Sequence, residues 1–253
     1  MQITFLGTGT SQGVPVIACE CDVCMSNDAR DKRLRSSVMV QTKETSIVID
    51  TGPDFRQQML RENVKRLDAI LLTHGHKDHV GGLDDVRAFN YIQSKAMDVY
   101  SSPEVHEVIQ TEFSYAFAKD KYPGVPEIKL HNVGEAPFLI NELSVCPVHV
   151  MHFRLPVLAY RIEDFVYITD ASFISPEEIL KIMNSKVLVV NGLRKQRHYS
   201  HFNLEQALHL IEQVKPAKAF ITHMSHAMGL HDEVQKELPE NVFLAYDGLR
   251  VES

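Results

Sequence analysis

Three histidines and an aspartate fall within six consecutive positions of this chain, His74, His76, Asp78 and His79, in a Thr-His-Gly-His-Lys-Asp-His run that starts at Thr73. Imidazole and carboxylate suit zinc, manganese or iron, and so many ligand atoms in one short run exceed what one four-coordinate ion takes. Unused, such a cluster would cost stability, because its charges and lone pairs would be desolvated without partners. The apolar run Leu67–Leu72 in front of it reads as a buried strand, and Gly81-Gly82 behind it open a helical stretch. A strand that ends in alternating histidines points its ligands at one small volume beyond its C-terminal edge.

Three later positions repeat that placement. His152 follows the apolar run Leu143–Val148, Asp170 ends Val166–Thr169, and His223 ends Phe220–Thr222. With His74, His76, Asp78 and His79 they make seven ligands, the number that two ions sharing one carboxylate would use. A second cluster, Cys19-x-Cys21-x-x-Cys24, has the short spacing of thiolate ligands, although surface thiols without a metal give the same pattern.

The elements that must position these groups can be followed along the chain. Met1–Leu6 reads as a strand running into the tight loop Gly7-Thr8-Gly9-Thr10, and Ser37–Thr42 with Thr45–Asp50 reads as a hairpin. Helices are expected at 53–63, 82–93 and from Ser102-Pro103 towards Phe117. The second half repeats the rhythm, with strands at 143–150, 157–162, 165–169, 186–190 and 217–222. Helix starts are expected at Ser175-Pro176-Glu177-Glu178 and Asn203-Leu204-Glu205-Gln206. Meanders that give way to alternating strands and helices, twice over, predict an α/β chain of two sheets face to face with helices outside. No linker divides residues 1–253, so a single domain is expected.

Composition narrows the class. Apolar residues make up 44% and charged residues 23%, the balance of a globular chain. Neither an export signal nor an apolar run long enough to cross a membrane is found, so a cytoplasmic protein without membrane partners is expected. A net charge of −7 disfavours structured nucleic acid, whose binding depends on neutralising phosphates.

The His-x-His-x-Asp-His run, His152, Asp170 and His223, in that order, resemble the metallo-β-lactamase superfamily over essentially the whole chain. The resemblance implies an αββα four-layer sandwich with a dinuclear site on one edge. His74, His76 and His152 would hold one divalent ion and Asp78, His79 and His223 the other, with Asp170 bridging. Asp50 would orient a histidine ligand from behind. Within the superfamily, Thr222-His223-Met224-Ser225-His226 and Tyr246-Asp247-Gly248 are similar to the phosphoribosyl cyclic phosphodiesterase group of phosphonate breakdown. That group implies a structural zinc on Cys19, Cys21, Cys24 and His226. His201 matches the histidine that these enzymes and the tRNA 3′-processing endonucleases place opposite the metals.

The implied chemistry is hydrolysis of a small cyclic or nucleotide-like phosphodiester by a metal-bridging hydroxide, with His201 and Asp78 as catalytic residues and zinc, manganese or iron as the active-site metal. His201 would protonate the departing alkoxide. Arg154 and Arg197, the latter in the basic loop 194–198, would hold phosphate or ribose oxygens. Phe113, Tyr115 and Phe117 fit core packing better than a base-binding face. A homodimer is compatible with the resemblance. Two alternatives stand beside this one: an acyl hydrolase acting on a thioester or lactone with the same ligands, and a non-catalytic carrier of cofactor biosynthesis. The segment 104–134 departs from the family pattern and is expected to roof the site and set substrate size.

Overall fold

The computed structural model describes residues 1–253. Its first sheet is laid down in chain order by β1 (Gln2–Gly7), β2 (Ser37–Gln41), β3 (Ser46–Ile49), β4 (Ala69–Leu71), β5 (Met97–Ser101) and β6 (Ile128–Asn132). β1, β2 and β3 are antiparallel neighbours, and β3 to β6 run parallel. The second sheet holds β7 (Phe138–Ile140), β8 (Leu143–His152), β9 (Leu155–Ile162), β10 (Phe165–Ile168), β11 (Phe173–Ile174), β12 (Val187–Asn191), β13 (Lys218–Thr222) and β14 (Val242–Leu244). It too starts as a meander and turns parallel after β10. The last strand, β15 (Arg250–Glu252), returns to pair with β1.

Period-two alternation explains the layers. Ile3, Phe5, Val38, Val40, Ile47, Ile49 and Leu71 face the second sheet, where Val145, Leu158, Tyr160, Phe165, Tyr167 and Val189 meet them. Their neighbours Leu6, Met39, Val48, Ile70 and Val99 face outward and are covered by helices. Three stand-alone helices do most of that covering, α1 (Phe55–Arg61), α2 (Arg87–Gln93) and α3 (Pro103–Glu112), through Phe55, Met59, Phe89, Val105 and Ile109. On the far side, α4 (Pro176–Ile182) and α5 (Leu204–Val214) cover Val148, Val150, Val166, Ile168, Leu188 and Val190. The result is the four-layer αββα sandwich that the sequence predicts. No helix is long and apolar enough to cross a membrane.

Local signals decide where helices begin. Asn203 accepts from the Gln206 backbone N–H while the Gln206 side chain accepts from the Asn203 N–H, a complete capping box. Ser175 accepts from the Glu178 N–H, with Pro176 in the first turn. The stretch expected as one helix over 82–93 is divided, with a tighter 3-10 turn over Leu83–Val86 before α2. The two sheets are tied beneath the site by hydrogen bonds as well as by apolar contact. The Leu158 N–H donates to the Thr73 carbonyl at 3.0 Å and the buried Tyr160 hydroxyl to the Leu72 carbonyl at 2.7 Å.

Candidate metal centre

The candidate ligands stand at or beyond the C-terminal ends of strands on one edge of the sandwich, His152 as the last residue of β8 and Asp78 and His79 in the short helix Lys77–Val80 that follows β4. The backbone turns sharply there: Asp50, Asp170 and His223 have φ of 66°, 56° and 56°. Such left-handed values are tolerated by Asp and His but rarely gathered without a functional reason.

The ligand loop is built on Asp50. Its carboxylate accepts the Thr73 N–H at 2.9 Å and the Thr73 hydroxyl at 3.0–3.1 Å, fixing the end of β4. The same carboxylate lies 2.7 Å from His79 Nδ1, so His79 Nε2 is aimed the other way. There Nε2 meets Asp78 Oδ2 at 3.1 Å and Asp170 Oδ2 at 3.2 Å, yet this fully buried nitrogen has no hydrogen-bond partner. A buried ring nitrogen aimed between two carboxylates without hydrogen-bond geometry is what a cation ligand requires. The residues therefore fit a metal. Glycines let the loop lie so close: a Cβ on Gly52 would sit 2.1 Å from the Asp78 carbonyl, and one on Gly75 would sit 3.0 Å from Val108 of α3.

A second set of rings converges beside it. His74 Nε2 and His76 Nδ1 are 3.0 Å apart, and the His152 ring lies 5.7 and 5.2 Å from the His74 and His76 rings. His152 Nδ1 donates to the Ser200 carbonyl at 2.8 Å, which leaves its Nε2 for the site. Asp170 sits between the two sets. The Thr169 hydroxyl donates to one of its oxygens at 2.7 Å, and His201 Nε2 and His223 Nε2 approach the other at 2.9 and 3.3 Å. His223 Nδ1 rests on the Ser36 hydroxyl at 3.1 Å.

Charge follows from this geometry. Burial opposes charge on His79, but Asp170, Asp50 and Asp78 around it more than offset that and push its titration well above the usual range. The same proximity holds Asp170 and Asp78 below the ordinary carboxylate range in spite of burial. The volume thus calls for positive charge. Burial pushes His74, His76 and His223 down, His223 to about 4, so their rings are neutral and their lone pairs available near pH 7.

The cysteine cluster closes on one point. His226 Nδ1 lies 3.2, 3.4 and 3.5 Å from the sulfurs of Cys19, Cys21 and Cys24. One ring nitrogen cannot serve three thiols with a single proton, whereas three sulfurs and one nitrogen suit a tetrahedral zinc. The Cys24 backbone N–H, with the neighbouring thiols and His226, pulls the exposed Cys21 thiol down to about 6, towards the thiolate that zinc takes. The cluster abuts the main site, since the Thr10 N–H donates to the Met224 carbonyl at 3.0 Å, the Met224 N–H donates to the Thr8 carbonyl at 2.9 Å, and the Thr10 hydroxyl is 3.3 Å from His223 Nε2.

The remaining predicted residues are placed as follows. His201 is in contact with the ligand set, its ring stacked 5.1 Å from His223 and set edgewise 4.6 Å from His152. Arg154 is exposed beside His152, with its guanidinium carbon 5.2 Å from the Phe153 ring centre. Arg197 is exposed and lines a surface hollow with Phe173, Phe202 and His209, none of them a metal ligand. Phe113 is buried in the helix-covered core and Tyr115 donates to Asp84, so neither forms a base-binding face. The segment 104–134 supplies α3, which backs the ligand loop. It also walls a hollow of 540 Å³ with Val105, Val108 and Gly134, a hollow that reaches His74 and His76. Sequence reasoning missed His198, whose Nδ1 is 3.3 Å from His201 Nδ1, and Ser200, whose hydroxyl is 2.9 Å from that same nitrogen. The spacing of His198 and His201 was the available signal.

Comparison with known proteins adds relatives to this geometry. A family model described as a beta-lactamase superfamily domain matches residues 45–224. The chain is 42% identical over 252 residues to an octanoyltransferase of Porphyromonas gingivalis, covering 98% of this chain and 51% of that protein. It is 26% identical over 169 residues to a ribonuclease Z of Nostoc punctiforme, covering 65% of this chain and 47% of the relative. The chain spans about half the length of these curated relatives. Among solved structures, a diphosphatase from the PhnP family superposes with a TM-score of 0.93 at 36% identity, over 99% of this chain and 96% of that one. Zinc-bound PqqB from Methylobacterium extorquens shares the fold, with a TM-score of 0.81 at 17% identity over all of both chains.

Proposed function

This chain belongs to the β-lactamase superfamily, and from that premise we propose that it is a metal-dependent hydrolase of small cyclic or nucleotide-like phosphodiesters. The observation that carries the reading is Asp170, whose two oxygens face His79 on one side and His201 and His223 on the other. His74, His76 and His152 would hold one divalent ion, Asp78, His79 and His223 the second, and Asp170 both. Zinc or manganese is the expected occupant, with iron also compatible with the donor set. When bound, such ions supply Lewis acidity to the phosphoryl oxygens and bring the pKa of a bound water near neutrality.

The protein's own groups do the rest. Asp50 and the Ser200 carbonyl orient His79 and His152, so their outward nitrogens meet at the site without searching rotamers. His201 presents Nε2 at Asp170 Oδ1, on the ligand face, and carries the proton needed by a departing alkoxide. His198 and Ser200 hold the opposite nitrogen, Nδ1, of that ring. Arg154 adds positive charge at the mouth. Phosphorus is favoured over carbon by His201 and by the names of two relatives, a diphosphatase and a ribonuclease. The octanoyltransferase name belongs to a protein of which this chain covers 51%. Cys146 is not placed for acyl transfer at the site, being six residues before His152 on β8, roughly 20 Å along the strand, and Cys19, Cys21 and Cys24 converge on His226 instead.

The leaving-group dependence of His201→Ala tests this. A 2′,3′-cyclic nucleotide, which releases an alkoxide, should lose about 10²–10⁴-fold in rate. Bis(p-nitrophenyl) phosphate, whose leaving group needs no proton, should lose far less. Equal losses on both would make His201 a ligand, and no turnover of either diester by the parent protein would refute the phosphodiester reading.

A further inference from the structure

Two large aromatic side chains stand in solvent beside the ligand-bearing loops of this site. Phe153 is 53% and Tyr199 74% exposed, on loops from different parts of the chain, and their rings meet edge to face with centres 5.6 Å apart. Phe153 directly follows the ligand His152, and Tyr199 lies two residues before His201. Arg154 lies over the Phe153 face and His198 stacks on Tyr199 at 4.5 Å.

Phe153 is also in the wrong backbone conformation for its type. β8 and β9 are joined by Phe153-Arg154 alone, and Phe153, the first of the two, has φ of 55°. That is a position for glycine or asparagine in a two-residue hairpin, and a bulky aromatic there is an outlier. The Phe153 N–H is nonetheless pinned to the Ser172 hydroxyl at 2.9 Å, and Ser172 in turn donates to Met151. The chain thus holds an apolar ring in water, on a strained turn, beside a metal ligand. Neither burial nor turn preference explains that choice, whereas a ligand to be stacked on does.

We propose that Phe153 and Tyr199 form a stacking platform for the nucleobase of the substrate, flanked by Arg154 and His198. Every base offers a flat π-face, and stacking on aromatic side chains is tolerant of base identity. The polar edges of a base can meet the guanidinium and imidazole on either side, which an alkyl chain could not use. The phosphate then lies over the ligand set with the sugar between. The inference rests on the phosphodiester reading and adds the substrate class, a nucleotide with its base at the β8–β9 turn.

The experiment is calorimetric titration of the manganese-reconstituted full chain with adenosine 5′-monophosphate and with ribose 5-phosphate, which carries an anomeric hydroxyl in place of the base. The base should tighten binding roughly tenfold or more. Phe153→Leu/Tyr199→Leu, which keeps apolar bulk but removes both π-faces, should erase that advantage and leave ribose 5-phosphate binding unchanged. Phe153→Tyr/Tyr199→Phe should retain it. Phe153→Gly should melt no lower than the parent chain while losing base affinity, separating recognition from folding. Equal affinity for the two ligands in the parent, equal weakening of both in the leucine variant, or binding of neither would overturn the platform. Turnover of bis(p-nitrophenyl) phosphate on the same preparation separates the two readings. Turnover without a base advantage sinks the platform alone, and a base advantage without turnover sinks the phosphodiester reading alone.

Discussion

Asp50 shows how one buried carboxylate sets the accuracy of a site it does not enter. It fixes Thr73 and orients His79, so Asp50→Asn should keep the fold but weaken metal affinity about 10–100-fold, as outer-layer partners of ligands generally do. Metal-titration calorimetry checks this, and an unchanged affinity would leave Asp50 a purely structural residue. A second residue-level expectation lies away from the metals. His231 is packed against Tyr246 and accepts from Arg33 at 3.2 Å. Burial and the neighbouring Arg33 and Arg30 carry its pKa from 6.5 down to about 4, with Asp31 and Asp28 opposing. The folded chain therefore binds its proton later than the unfolded chain. The stabilisation is complete above pH 6.5 and is lost as pH falls towards 4. His231→Gln should have a flatter Tm profile than the parent chain across that window; parallel profiles would show that the ring is not the titrating group. At this scale the ligands were legible because each His or Asp follows an apolar strand. Phe153 and Tyr199 were not, because their importance arises from two loops meeting in space, which no spacing within either loop records, and His198 offered only its spacing from His201.

Among the elements, the loop-bearing strand ends depend on close backbone approach. Gly52→Ala would place a methyl 2.1 Å from the Asp78 carbonyl, and Gly75→Val would drive into Val108 of α3. Both should retain secondary structure and lose metal, with Gly52→Ala also destabilising by about 1–3 kcal/mol or more through overpacking. Circular dichroism beside elemental analysis reads the two effects separately. Loss of α5's cap should be milder: Asn203→Ala is expected to cost about 1 kcal/mol in chemical denaturation. The strands and helices with strong alternation or caps were readable, including the three helices that start with Ser-Pro or Asn. Short strands such as β11, β14 and β15 were not, since Arg-Val-Glu or Phe-Ile carries too little pattern, and pairing with a distant strand defines them. The turn at Leu83–Val86 likewise followed packing on α1 rather than helical period.

The whole molecule joins two candidate metal sites through one seam, where Thr10 and Met224 link the cysteine cluster to the main cluster of histidines and aspartates. Stripping metal should lower Tm, because it removes about 4 kcal/mol of stabilisation for an ion that stands a thousandfold above its Kd. Cys21→Ser should bind one zinc equivalent fewer while the ions of the main site are retained. The element pattern alone is legible as an α/β chain, since two rounds of meander followed by alternating strands and helices leave few other classes, and it is the resemblance of the ligand motifs that implies the αββα sandwich. On the function proposed above, the edge where Asp50, His79, Asp170 and His223 meet would hydrolyse phosphodiesters. The direct measurement is the initial rate on bis(p-nitrophenyl) phosphate, beside an aryl ester and a thioester, for the manganese- and zinc-reconstituted chain and for Asp170→Asn. Diester turnover that exceeds ester turnover and is lost in Asp170→Asn is the predicted result. Turnover of the esters alone, or diester turnover that survives Asp170→Asn, would contradict it.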